Sequence, residues 1–299
     1  MITIESENVV YKMSDKNDPV AYCQSGDVVE FQTLDCFNNE LLSKEAKYGV
    51  DNKSLGNPAT GPLYINGAMP GDTLKVEIID ILVGALGVNV IGPFSGGLKH
   101  KLTKYETKRI PVENGIAKFN DCLSMPIDPM IGVIGVAPAG EEISTIIPGT
   151  HGGNMDCRQI RKGAVLYLPV LAEGALLAIG DLHALMGDGE IGGCGLEIEG
   201  TVVVRVSVLS DKKSVAPSVY VDGKWITIAS CKTLDEAADE ATEMMLEFLI
   251  KETGMNAYDA GILLSLCGNL VVCQKVNPNK TVRMELPISV LADLGYVID

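Results

Sequence analysis

Two short segments contain the residue types that bind a divalent cation. In one, His151 is followed by two glycines and Asp156; in the other, Asp181 and His183 follow an apolar run at residues 175–179. If that run is a strand that continues through His183, both side chains lie on one face, because side chains alternate along a strand. The double glycine permits a tight turn that folds His151 towards Asp156. Imidazole and carboxylate ligands favour a borderline cation such as Zn²⁺.

Each of these features also has a purely structural explanation. A lone Asp-x-His pair is common in structural positions, and glycine-rich loops with an acid are often turns satisfied by Asx hydrogen bonds. His100 stands between two lysines, which fits an exposed basic patch. We retain His100 and Asp35 as further possible ligands. Calcium, bound by the acidic loops, is the alternative to zinc.

Carboxylates outside the metal ligands are the candidates for moving protons. Glu190 lies in a glycine-flanked loop two residues after Asp188, and Glu142 is the reserve. A general base must reach the reacting water and have a pKa tuned by its surroundings. A solvated loop acid is the alternative interpretation of Glu190. The sequence therefore offers two candidate bases without deciding between them.

Four further residues are candidates for substrate contacts. The backbone N–H groups of Gly152 and Gly153 are placed to stabilise an oxyanion, since glycine lets the backbone approach closely. Asn154 and Asp188 add polar side chains in the same two segments.

The eight cysteines favour a reduced, cytoplasmic protein. They form no Cys-x-x-Cys pair, so neither a zinc ribbon nor a redox motif is indicated. Cys194 and Cys157 are the candidates for a nucleophilic thiol, although their neighbours are neutral or acidic rather than cationic. A thiol-dependent enzyme thus remains an alternative.

The charge balance argues against nucleic acids and membranes as partners. The chain has 299 residues with 24 basic and 39 acidic side chains, a net charge of −15. Such a charge repels phosphates and anionic lipid surfaces. The apolar stretches are shorter than the roughly 20 residues that a membrane-spanning helix needs, and we expect no secretory signal at the acidic N-terminus.

The apolar pattern predicts a mainly β chain with a small α+β part at its C-terminus. Alternation at residues 74–78 and 202–208 is typical of half-buried strands, and many short runs separated by glycine and proline indicate a sandwich or barrel. Thr233 and Glu236 form a capping box, followed by helical spacing to residue 252 and Gly254 as a stop. A second helix is expected at 256–268 and strands after it. We therefore divide the chain into a core, residues 1–221, that carries the site and an α+β unit, residues 222–299, packed on it.

Several motifs resemble blocks of the acetamidase/formamidase family, in the order found in that family. They are NPATGPLY at 57–64, GAMPGD at 67–72, IGVAP at 134–138, HGGNMD at 151–156, GDLHA at 180–184 and GDGE at 187–190, with a weaker match at 25–35. The polar residues of these blocks are Asp35, Asn154, Asp156, Asp181, His183, Asp188 and Glu190.

The resemblance implies an amidase that hydrolyses acetamide or formamide to a carboxylate and ammonia. It further implies a jelly-roll-like β-sandwich core and a homo-oligomer, most simply a dimer. One stretch departs from the family pattern: alanine and glutamine are usual there, whereas Leu185 and Met186 stand here. This difference predicts a more apolar pocket. A non-catalytic calcium- or ligand-binding β module is the alternative from another functional class.

Overall fold

The computed structural model describes residues 1–52, 56–93, 96–210 and 214–294, and it contains far more strand than helix. The first ten strands are β1 Ile2–Ile4, β2 Val9–Val10, β3 Lys12–Ser14, β4 Ala21–Cys23, β5 Val28–Thr33, β6 Ala59–Ile65, β7 Thr73–Val83, β8 Leu86–Ile91, β9 Glu106–Glu113 and β10 Ile116–Lys118. The others are β11 Ser124–Pro126, β12 Met130–Gly135, β13 Glu142–Ser144, β14 Gly152–Asn154, β15 Val165–Pro169, β16 Leu177–His183, β17 Gly200–Leu209, β18 Ser218–Val221, β19 Lys224–Cys231, β20 Asn269–Gln274 and β21 Lys280–Pro287. The helices are α1 Leu234–Thr253 and α2 Ala257–Cys267, with 3-10 segments at Lys99–Lys101 and Ile288–Leu294.

These strands form two large sheets and two small ones. The larger sheet has the order β1-β5-β17-β7-β15-β18-β19-β21-β20, and the second has the order β14-β12-β16-β6-β2 with β4 also paired to β6. A four-stranded sheet, β11-β10-β9-β8, and the pair β13-β3 complete the set. Most neighbours are antiparallel, which allows short turns between them.

One hydrophobic core lies between the two large sheets. It contains Phe31 and Val204 from the nine-stranded sheet and Ile65, Ile134 and Ile179 from the other. All five side chains are buried. Sheets that share one core in this way form a sandwich. The prediction of a mainly β chain with a sandwich core and a C-terminal α+β part is confirmed.

The strand that carries the candidate ligands begins later than its apolar run suggests. Ala175 and Leu176 have φ angles of 57° and 56° and form a turn, so β16 begins at Leu177. Every residue of β16 is buried, as is every residue of its antiparallel partner β12. A strand covered on both faces needs a continuously apolar sequence. The sequence of β16 is apolar except for Asp181 and His183 near its end.

The C-terminal part continues the larger sheet. Thr233 and Glu236 form both hydrogen bonds of the capping box that starts α1, and Gly254 ends it with φ 71°. The helices pack with β21 in a second core that includes Met245, Leu264 and Leu286. The hairpin β18–β19 joins the part to the rest of the sheet. The predicted boundary between the core and the α+β unit, after residue 221, stays a prediction. It lies in the turn of that hairpin. In the described ranges, no helix is long and apolar enough to cross a membrane.

Candidate functional site

A buried histidine surrounded by carboxylates forms the centre of the site. His183 Nε2 lies 3.2 Å from Glu197 Oε2, 3.4 Å from Asp181 Oδ1 and 3.8 Å from Asp156 Oδ1. Glu190 is the fourth acid, and its carboxyl hydrogen-bonds to Asp156. All five side chains are buried. We call these five residues the acid cluster.

The sandwich places these side chains from three separate parts of the chain. Asp181 and His183 end β16, and Asp156 follows β14 by two residues. Glu197 reaches them through an isolated bridge to His183, after the loop that contains Glu190. The sequence analysis expected Asp181 and His183 to converge, and they do.

Two glycines leave room for the cluster. A Cβ added to Gly132, on β12, would lie 2.7 Å from Asp156 Oδ1 and 2.8 Å from Asp181 Oδ2. A Cβ at Gly195 would lie 2.6 Å from the His183 ring. These contacts are shorter than atoms tolerate, so the close packing of the cluster depends on both glycines.

Four residues in or beside the cluster have the left-handed backbone conformation. The φ angles are 56° for Asn57, 45° for Asp156, 55° for Asp181 and 46° for Glu190. Non-glycine residues rarely adopt this conformation, and it costs on the order of 1 kcal/mol or more per residue. Such strain concentrates where the surrounding fold must hold a side chain in a functional position.

Three asparagines hold the aspartates by hydrogen bonds. Asn57 Nδ2 donates to Asp181 Oδ2 at 2.8 Å, and Asn277 Nδ2 donates to Asp156 Oδ2 at 2.6 Å. The Asn154 amide, oriented to complement its neighbours, donates to Asp181 Oδ2 at 2.8 Å and to Asp156 Oδ1 at 3.2 Å. The hydrogen bond from Asn277 favours the ionised form of Asp156.

Burial opposes ionisation of the acids in the cluster. It raises the pKa of Asp156 to about 7, and the negative charge of Asp181 adds to the effect. It raises the pKa of Glu197 to about 8 against the attraction of His183. Burial and the charge of Asp156 raise the pKa of Glu190 well above its usual value.

His183 responds in the opposite sense. Burial alone would lower its pKa, but the carboxylates of Glu197 and Asp181 outweigh burial and raise the pKa well above 6.5. Among the described residues, no lysine or arginine forms an ion pair with any of the four acids. Ionisation of all four acids would therefore leave an excess of buried negative charge, which a bound cation would compensate.

Two groups of side chains have the spacing to hold an ion. Ligand atoms of Asp156, His183 and Glu190 lie within 4.8 Å of one another, and so do those of Cys36, Asp181 and Glu197. Glu190 Oε2 is buried without a hydrogen-bond partner, and the buried Asp181 Oδ1 and Glu197 Oε2 share the single His183 Nε2, at 3.4 and 3.2 Å. Buried polar atoms are rarely left unpaired, so these oxygens fit the coordination of a divalent cation. The mixture of imidazole, carboxylate and thiol donors suits zinc and the similar transition metals.

The other predicted ligands lie outside these two groups. The His151 ring packs against the glycines of its own turn: a Cβ added to Gly149 would lie 3.2 Å from Nδ1, and one added to Gly153 would lie 2.9 Å from Nε2. Burial lowers the pKa of His151 to about 4. Asp35 is buried and accepts hydrogen bonds from the N–H groups of Phe37 and Asn39, which is an Asx turn. Burial raises its pKa to about 6. His100 is exposed in a 3-10 turn.

The remaining predicted residues have structural partners. Glu142 is an exposed acid of β13 that pairs with Lys12 and Lys16 at 3.2 and 3.3 Å. Its pKa is lowered by hydrogen bonds from these lysines. Asp188 forms a two-pronged ion pair with Arg283, at 2.6 and 3.0 Å. This pair anchors the loop that carries Glu190.

The two glycines proposed for an oxyanion site lie in β14. The Gly152 N–H donates to Gly149 O at 3.1 Å, so it is already engaged. Gly153 pairs in register with Ile134 of β12.

The two candidate thiols lie in different surroundings. Cys157 is fully buried, and a hydrogen bond with Cys273 together with the charge of Arg283 lowers its pKa. Cys194 is half-buried and hydrogen-bonds to Cys36, whose pKa burial raises well above its ordinary value. The Cys194 thiol thus adjoins the ligand group of Cys36, Asp181 and Glu197, whereas the Cys157 thiol pairs with Cys273, although Cys157 follows Asp156 in the chain.

Four residues of the site escaped the sequence analysis. Asn57 opens the NPATGPLY motif, so its position was a usable signal; Glu197 lies seven residues after the GDGE motif, and Cys36 adjoins Asp35. Asn277 lies 121 residues from Asp156, in the turn between β20 and β21. No local pattern marks it.

A cavity of about 380 Å³ leads to the cluster and ends at Glu190. One wall is the small sheet, with Ile110 and Met125, and the other is the loop that contains Leu185 and Met186. Its size lies within the range of small-molecule sites.

Comparisons with known proteins agree with the motifs. The model of the Acetamidase/Formamidase family matches residues 7–143 and 137–292. The crystal structure of an acetamidase from Bacillus halodurans is 46% identical, with 99% of this chain and 100% of that chain aligned and a TM-score of 0.96. The structure of a recombinant predicted acetamidase/formamidase from Thermoanaerobacter tengcongensis is 40% identical, with 99% of each chain aligned and a TM-score of 0.96.

The matches to curated relatives are more partial. A formamidase of Methylophilus methylotrophus is 40% identical over 74 residues, which are 24% of this chain and 18% of that protein. The chain spans at most 60% of the length of the curated relatives it matches. The family model nevertheless covers most of the chain, and this chain belongs to the acetamidase/formamidase family.

Proposed function

We propose that this protein is an amidase that hydrolyses a short primary amide to a carboxylate and ammonia with the help of a divalent cation, zinc being the favoured ion. The observation that carries the proposal is a set of three buried carboxylate oxygens around His183: Glu190 Oε2 has no hydrogen-bond partner, and Asp181 Oδ1 and Glu197 Oε2 compete for the single His183 Nε2. Family membership supports the reaction, and the name of the Bacillus halodurans acetamidase supports the substrate class.

The residues that would hold the ion are those of the two ligand groups. Asp156, His183 and Glu190 form one and Cys36, Asp181 and Glu197 the other. When bound, a divalent cation supplies a Lewis acid for the amide carbonyl and acidifies a water molecule. Asn57, Asn154 and Asn277 orient the aspartates, as hydrogen bonds to carboxylate ligands generally do.

Glu190 is our candidate for the proton carrier. It lies where the cavity meets the acid cluster, and burial together with the charge of Asp156 raises its pKa well above that of an ordinary glutamate. A carboxyl with such a pKa can take a proton from the attacking water and return it to the departing nitrogen. Its place in a ligand group makes it a possible ligand as well. The two roles predict different metal contents for a Glu190 variant.

The test is the release of ammonia from simple amides, measured together with the metal content. Chelation should abolish the activity and Zn²⁺ should restore it. His183→Ala should lower metal affinity about 10- to 100-fold, together with the rate. Glu190→Gln should keep the metal and the fold but lower kcat by roughly 10²- to 10⁴-fold, the range for general acid–base catalysis.

Two outcomes would change the assignment. Loss of metal in Glu190→Gln would make Glu190 a ligand. The base would then be sought with Glu142→Gln, although Glu142 is exposed and paired with lysines. Full activity in metal-free protein would contradict the metal-dependent mechanism.

The thiol-dependent amidase is the second candidate, and the position of Cys194 on the cavity wall favours it. Iodoacetamide and a chelator separate the two mechanisms: alkylation should stop a thiol enzyme, and chelation should stop a metal enzyme. A calcium-binding module without catalysis would release no ammonia from any amide.

We propose in addition that the protein is a cytoplasmic homodimer formed through α2. Tyr258, Ile262 and Leu266 are spaced four residues apart on one face of this helix and are 85%, 58% and 79% exposed. Leu270 extends the stripe onto β20. An apolar stripe of this size is typical of an interface between subunits. The cytoplasmic location rests on the spacing of the cysteines alone.

A further inference from the structure

The cavity in front of Glu190 is larger than acetamide or formamide requires. If each water-sized group takes about 30 Å³, the four heavy atoms of acetamide fill about 120 Å³ of the roughly 380 Å³ available. About 260 Å³, space for up to about eight more such groups, remains.

The surfaces that line this extra space are apolar. Ile110, Met186 and Leu196 are buried at the inner end, and Leu185 and Met125 are half-buried further out. At the rim, the Phe119 ring is covered by Lys108, with Nζ 4.2 Å from the ring centroid. Apolar walls bind the hydrocarbon part of a ligand and exclude water from it.

Most polar groups on the walls already have protein partners. Asn89 Nδ2 donates to the carbonyls of Cys194 and Gly195, at 3.1 and 2.8 Å, and Asp188 pairs with Arg283. Glu190 is the lining acid that belongs to the acid cluster. The cavity therefore offers a ligand a polar group at Glu190 and apolar walls around the rest of its volume.

We propose that the cavity binds the acyl chain of a primary amide with roughly four to eight apolar carbons, and that such amides are better substrates than acetamide. This inference rests on the proposed amidase function. Because that reaction releases ammonia from a primary amide, the substrate can extend only from its acyl carbon. Met125 and Leu185 are then specificity-determining residues.

The experiment is a substrate series with the intact, metal-loaded protein. We expect kcat/KM to rise about fourfold for each methylene from acetamide through butanamide to hexanamide, the value for burial of one CH₂ group. This measurement needs no variant, so it does not depend on any substitution folding correctly.

A pair of variants then tests the cavity itself. Met125→Ala removes part of the apolar wall and should lower the hexanamide-to-acetamide ratio of kcat/KM about tenfold. Leu123→Ala changes an exposed side chain two residues away, outside the cavity, and should leave the ratio unchanged.

The outcomes separate this inference from the function on which it rests. Turnover of acetamide with no gain, or a loss, for longer amides would overturn the inference and leave the amidase function intact. If Met125→Ala and the parent protein had equal hexanamide-to-acetamide ratios of kcat/KM, the apolar wall would not determine substrate specificity. Release of ammonia from none of these amides would overturn both.

Discussion

The stability of the metal-free protein should fall as the pH rises from 6.5 to 8. Burial raises the pKa of Asp156 to about 7 and that of Glu197 to about 8. An acid with a raised pKa in the folded state keeps its proton there after the unfolded chain has lost it. Its contribution to stability is therefore complete below the unfolded pKa and is lost as the pH rises through the folded pKa.

The expected loss is about 2 kcal/mol. Over this interval Asp156 and Glu197 together hold up to two protons more in the folded chain than in the unfolded chain, at about 1.4 kcal/mol per proton and pH unit, and they release these protons near pH 7 and 8. For 299 residues this loss corresponds to a decrease of about 4 °C in Tm.

The two buried histidines do not reverse this trend. The raised pKa of His183 acts in the same direction, because the folded protein again holds the extra proton. The pKa of His151 is lowered to about 4, so its contribution grows from about pH 4 upwards, but only about 0.4 kcal/mol of that gain remains above pH 6.5, less than the loss from the two acids.

Calorimetry of chelator-treated protein at pH 6.5 and 8.0 would measure the effect. Glu197→Gln should remove about two-thirds of it, whereas Glu141→Gln, at an exposed acid, should remove none. Zn²⁺ should abolish the decrease, because the ion stabilises the ionised carboxylates. This expectation would be refuted if the free energy of unfolding stayed constant or rose from pH 6.5 to 8.0 and Glu197→Gln and Glu141→Gln changed equally. Buried acids with raised pKa values would then not explain why the site needs a cation.

Three further predictions concern packing and assembly. Gly132→Ala places a methyl group against Asp156 and should weaken Zn²⁺ binding at least tenfold, measured by metal titration. Gly261→Ala, at a glycine with no atoms close to an added Cβ, is its control. Equal Zn²⁺ affinities in the two variants would show that the acid cluster does not need the space left by Gly132. Thr233→Ala removes the N-cap of α1 and should cost about 1 kcal/mol in chemical denaturation; an unchanged midpoint would contradict the capping argument. Leu266→Glu should convert a dimer to a monomer in light scattering, and the same mass in both proteins would rule out the α2 interface.

Features with local causes could be predicted from the sequence. The helix after Thr233 depends on a capping box, apolar spacing and Gly254, and all three act within one segment. The convergence of Asp181 and His183 was predicted from alternation, although Asp181 adopts a left-handed conformation rather than an extended one. The fold class followed because the alternating runs are long and frequent.

Features that depend on distant segments could not be predicted in this way. Asn277 contacts Asp156 across 121 residues, and Glu197 meets His183 through a single bridge between irregular segments. Asp188 was expected to contact substrate but pairs with Arg283, 95 residues further along the chain. Such contacts arise only when the sheets are assembled, so no pattern within one segment encodes them.

The hydrogen bond from Asn277 to Asp156 has a consequence for the timing of biosynthesis. A ribosome that adds about 5 to 20 residues per second needs roughly 6 to 24 seconds to pass from Asp156 to Asn277, 121 residues later. During that interval Asp156 lacks this donor, and the loop with Asp188 lacks the arginine that anchors it. The nascent chain therefore lacks the finished acid cluster, and in the metal-dependent function proposed above the ion would be loaded late, after the last hairpin, β20–β21, has emerged.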